Sequence, residues 1–117
     1  MTDIAYFRER ETDILSLDKD LDDSSIEELA QTISTLRQQG SRRLLLLGQA
    51  GCRVHTNHLE DLALPMRVFR GTGGIVAVAE FDSTAQRHLR SASWYRYLNV
   101  FRTREEALQF LNHSSTI

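Results

Sequence analysis

Arg42-Arg43-Leu44-Leu45-Leu46-Leu47-Gly48 is the stretch on which the fold of this 117-residue chain turns. Four consecutive leucines leave a strand no polar face, so both of its faces need cover. A strand of that kind belongs in the middle of a sheet with helices packed on it, the layout of an α/β domain. The segment Gly48 to Gly51 then reads as a loop.

Upstream, Asp23-Ser24-Ser25 precedes apolar residues at Ile26, Leu29, Ala30, Ile33 and Leu36, a spacing that lines one face of a helix. Ser24 with Glu27, and Ser25 with Glu28, have capping-box spacing, and Gly40 suits the end of the helix. Earlier still, Ile4 to Phe7 and Ile14 to Leu17 are short runs of strand formers separated by the charged Arg8 to Asp13, a hairpin pattern.

Downstream, Leu59, Leu62, Ala63, Met66 and Phe69 return to helical spacing from Thr56 onward, and Pro65 predicts a kink or stop near Leu64. Gly71-Thr72-Gly73-Gly74 follows a helix and precedes a strand, so it reads as a turn; phosphate-cradling glycine loops have the opposite order. Ile75 to Ala79 is a buried strand, and Asp82 or Ser83 is placed to cap a short helix through Leu89. Tyr95 to Phe101 is a last strand, with Trp94, Tyr95 and Tyr97 divided between core and surface. Thr103 to Leu111 is a last helix whose Thr103 and Glu106 have capping-box spacing. The expected architecture is one domain over residues 1–112, with a disordered polar tail at 113–117. Within it, a mixed, mostly parallel sheet of about five strands carries about four helices.

Composition agrees with one modest domain: 41% of residues are hydrophobic, 26% are charged, and there is a single proline. No apolar run approaches the roughly 20 residues a membrane-spanning helix requires. Met1 to Arg10 lacks the continuous apolar stretch of a secretory signal, so a cytoplasmic location is expected. Cys52 is the only cysteine, which excludes an internal disulfide and a cysteine-built zinc site. Residues 1–40 hold ten acids and four bases, against six acids and ten arginines in residues 41–117. The arginines of the second part are scattered and no nucleic-acid-binding motif accompanies them, so nucleic acid is not the expected partner.

The order and lengths of these elements resemble the STAS domain, the family of sulfate transporter and anti-sigma-factor antagonist modules, over nearly the whole chain. Leu21-Asp22 stands where the family has a Gly-x-Leu-Asp turn, and Gly73-Gly74 matches its glycine pair before the fourth strand. The stretch from Phe101 to Leu108, with Glu105-Glu106-Ala107 inside it, looks like its closing phrase. The family's functional signature, Asp-Ser-Ser/Thr-Gly-Leu, falls on His55-Thr56-Asn57-His58-Leu59. The hydroxyl and the leucine are kept as Thr56 and Leu59, whereas histidines replace the aspartate and the glycine. Leu47 replaces the aspartate often found at the end of the preceding strand.

The resemblance implies a regulatory binding module rather than an enzyme, with no cofactor and a protein partner. That partner would be an anti-sigma factor with serine/threonine kinase activity. Thr56 is the implied phosphorylation site, and Cys52, Arg53, His55, Asn57, His58, Glu60 and Asp61 share the implied docking surface. A phosphate on Thr56 would lie at the positive end of a helix dipole and add close to two negative charges. A second reading within the fold is a constitutive adaptor subunit of a lipid-transporting ABC assembly. A reading of another class makes the chain a small metal-dependent enzyme using His55, His58 and Cys52, although no carboxylate or cysteine pair completes a metal motif.

Overall fold

A computed structural model describes residues 4–17, 23–48, 56–71, 73–81, 86–87 and 99–113, with helical side chains described from Ile26 and from Leu64 onward in the first two helices. The chain runs β1 (Ile4–Glu9), β2 (Thr12–Leu17), α1 (Asp23–Gln38), β3 (Arg43–Leu47), α2 (Thr56–Gly71), β4 (Ile75–Ala79), β5 (Asn99–Phe101) and α3 (Arg104–His113). The five strands form one sheet in the order β1-β2-β3-β4-β5. The β1–β2 pair is antiparallel and every other pair is parallel.

The leucine run occupies the centre of that sheet, as its lack of a polar face demands. Leu44 and Leu46 join Leu15, Leu17, Val76 and Val78 on one face, under Ile26, Leu29 and Ile33 of α1 and Met66 and Phe69 of α2. Leu45 and Leu47 join Ile14, Ala77 and Ala79 on the other face, under Ala107 and Leu111 of α3. The small Ala77, Ala79 and Ala107 side chains allow α3 to lie close to the sheet.

Several expectations shift in detail. The hairpin connection is two residues, not the whole charged stretch: Glu9 pairs with Thr12, and Arg10 and Glu11 have φ of 48° and 68°, the two positive values of a type I′ turn. Charged Arg8 and Glu9 are tolerated because β1 is an edge strand, where side chains reach water while the backbone pairs. Pro65 does not end α2, which continues to Gly71. The two residues buried just beyond the proline, Met66 and Phe69, are 1% and 0% exposed. Burying each is worth about 1.5–3 kcal/mol, enough to offset the roughly 3 kcal/mol cost of an interior proline.

Both long helices end in a Schellman arrangement. In α2, the Gly74 N–H donates to the Phe69 carbonyl and the Gly73 N–H to the Arg70 carbonyl. Gly73 takes φ of 92°, and a Cβ on Gly74 would strike the Phe69 ring and lie 2.8 Å from the Phe69 carbonyl oxygen. The glycine pair is therefore a helix stop. The last helix has the expected capping box: the Glu106 N–H donates to Thr103 Oγ1 at 3.2 Å, and the Thr103 N–H donates to Glu106 Oε1 at 3.3 Å.

Three helices are present among the described residues, together with helical Gln86 and Arg87 inside the stretch expected to form a short helix. The rest of that stretch lies outside the described residues, as do Trp94, Tyr95, Tyr97 and residues 114–117. The last helix runs through His113, one residue into the expected tail.

Candidate functional site

In a parallel sheet the connections that leave the carboxyl ends of the strands gather on one edge, where ligands and partners are usually met. Here that edge includes Gly48, just after β3, and Glu80-Phe81, just after β4. The Gly48 N–H donates to the Ala79 carbonyl at 2.9 Å, carrying the ladder one step past β3. A Cβ on Gly48 would stand 2.8 Å from Cδ1 of Phe81, so only glycine lets the two segments meet this closely. Phe81 is 4% exposed and packs into the α1/α2 side of the core.

Glu80 has φ of 65° and accepts a hydrogen bond from the Arg104 N–H at 3.1 Å, at the start of α3. The guanidinium of Arg104 donates in turn to Glu9 at 3.1 Å. Five twisted strands rotate the outermost pair by roughly 80–100°, which brings opposite corners of the sheet toward one another over the α3 face. This exposed pair marks that approach; its contribution to stability is small.

Thr56 is the first residue of α2, so the position implied for phosphorylation opens the helix that leaves this edge. Asn57, His58, Glu60 and Asp61 occupy its first two turns. No acid stands in the first turn. Cys52, Arg53 and His55 lie outside the described residues, as do the side chains at 56–63, so the proposed histidine and cysteine grouping falls there too.

Further along α2, the structure exposes a feature that the helical stripe did not include. Leu64 is 66% exposed and Val68 is 43% exposed, one turn apart on the face turned away from Met66 and Phe69. They border an apolar groove of about 240 Å³ between the two helices, completed by Pro65 and by Ala30, Ile33 and Arg37 of α1. The signal was present in the sequence: two apolar residues four apart, offset from the buried stripe.

No family model matches this sequence. Nor does any curated protein match it. Solved structures do. A candidate anti-sigma factor antagonist of Thermotoga maritima superimposes with a TM-score of 0.80 at 15% identity, covering 93% of this chain and 94% of that one. A STAS domain protein of Planctomyces limnophilus gives 0.75 at 18% identity, covering 95% and 98%. The anti-sigma factor antagonist SpoIIAA in its unphosphorylated form gives 0.71 at 18% identity, covering 94% and 96%. The Bacillus cell fate determinant SpoIIAA in its phosphorylated form gives 0.64 at 18% identity. The chain thus has the STAS-like fold expected from its sequence, and no described helix is long and apolar enough to cross a membrane.

Proposed function

We propose that this chain is a cytoplasmic regulatory module that docks a protein partner through α2, and that phosphorylation of Thr56 ends the contact. The partner, by analogy with anti-sigma factor antagonists, is an anti-sigma factor with serine/threonine kinase activity. One observation carries the reading: the helix that opens at Thr56 also presents the exposed Leu64 and Val68 beside an apolar groove. Large apolar side chains held in water beside a groove favour association with another apolar surface. A helix start without acids favours an added phosphate. A protein with this fold, SpoIIAA, has been solved in both phosphorylated and unphosphorylated forms. No catalytic residue enters the reading.

Calorimetric titration against the anti-sigma kinases of the source genome tests it. The double variant Leu64→Ser, Val68→Ser should weaken binding by about tenfold or more, since each lost apolar contact costs on the order of 1 kcal/mol, while the melting temperature stays put. Thr56→Glu should weaken binding with equally little effect on the fold. Unchanged affinity in the double variant removes α2 as the docking helix. Unchanged affinity in Thr56→Glu, with the double variant impaired, leaves a constitutive adaptor without a phosphoswitch.

A further inference from the structure

At the opposite, amino-terminal edge of the sheet, the β1–β2 turn, the end of α1 and the starts of β3 and β4 enclose a cavity of about 340 Å³. Its lining includes three cations, Arg8, Arg42 and Arg43, and one acid, Glu11. Arg43 is only 15% exposed, yet its one ion-pair contact among the described residues is Glu11 at 3.6 Å, beyond hydrogen-bonding distance. Glu11 itself is 80% exposed and sits in the hairpin turn, so it screens Arg43 weakly. Ser41, also in the lining, has a buried Oγ with no hydrogen-bond partner.

A half-buried guanidinium whose nearest carboxylate stands beyond hydrogen-bonding distance favours an acceptor brought into the cavity. The carboxyl end of α1 lies at the same edge and would by itself oppose an anion. Two of its carbonyls are already occupied: Leu36 accepts from the Ser41 N–H and Arg37 from the Gly40 N–H, both at 3.0 Å. The positive charge of the three arginines then prevails.

We propose that this cavity is a binding site for a small phosphate-bearing molecule, separate from the docking helix. Three arginines, Arg8, Arg42 and Arg43, line the cavity, and planar guanidinium groups are suited to bidentate contact with phosphate oxygens. The volume is at the lower end of the range for small-molecule sites, room for a phosphate with a short organic group. The floor supplied by Ile75 gives that group an apolar surface.

Amide chemical shifts of the full chain, followed during titration with inorganic phosphate and separately with a small organic phosphate such as phenyl phosphate, test the site. Saturable shifts at Gly40, Ser41 and Arg43, absent with chloride at equal ionic strength, are expected. The tighter of the two ligands indicates whether free phosphate or a phosphate ester is the natural occupant. Arg42→Gln and Arg8→Gln, both at exposed positions, should each weaken binding by about tenfold without moving the melting temperature. An absence of saturable shifts at these amides, or shifts that persist unchanged in both variants, overturns the proposal. Thr56→Glu should leave phosphate binding intact, which keeps this outcome independent of the docking reading.

Discussion

Asp13 is 2% exposed, and the hydroxyl of Tyr6, on the neighbouring strand, donates to its Oδ1 at 2.5 Å. A carboxylate at the border of a charged run carries no mark of burial in the sequence. Its position becomes clear only when the Arg8–Asp13 pairing turns it toward the α1/α2 face. That bond to Asp13 raises the Tyr6 pKa above its ordinary value of 10.0, helped by partial burial and by the negative charge of Asp13, with Arg8 acting in the opposite sense. Because the folded value is raised, the stabilisation is complete below the unfolded pKa and disappears as pH climbs through the folded one. Tyr6→Phe should therefore lower stability by about 1–2 kcal/mol at neutral pH, since it leaves a buried carboxylate without its phenol. Urea unfolding at neutral pH and above pH 10 checks this: the gap between wild type and variant should shrink in alkali, and a constant gap would refute the assignment.

The elements themselves were largely readable because their patterns are strong. Four leucines in a row could only be a strand with two covered faces, and the apolar spacing from Ile26 to Leu36 could only be one face of a helix. What could not be read was the contest at Pro65, where a local penalty meets burial of side chains on other elements. Pro65→Ala removes the local penalty while leaving Met66 and Phe69 in place. It should stabilise the protein by about 1–2 kcal/mol, after allowance for the freer unfolded chain, as measured by chemical denaturation. At the candidate site the family pattern led to Thr56 and the start of α2. Leu64 and Val68 escaped because a helix wheel drawn around the buried stripe assigns the opposite face to solvent, whatever residues stand there.

On the scale of the whole molecule, the sheet serves two apolar clusters of unequal size. Among the described residues, the α3 side is covered by one ten-residue helix, with Ala107 and Leu111 fully buried. Leu111→Ala should cost about 2–5 kcal/mol. Because both clusters draw on side chains of the same strands, the loss should appear as one cooperative transition, with circular dichroism and near-ultraviolet signals moving together. Separate transitions would mean that the two sides fold independently. The monotonic strand order has a consequence for biosynthesis. Each strand settles beside its immediate predecessor, so a nascent chain leaving the ribosome extends an existing edge at every step and never waits for a distant partner. Helix α3 breaks this rhythm. Until α3 emerges, Leu45, Leu47, Ala77 and Ala79 lack the cover that Ala107 and Leu111 give them, and a ribosome stalled before that helix would hold a sticky intermediate suited to capture by a chaperone.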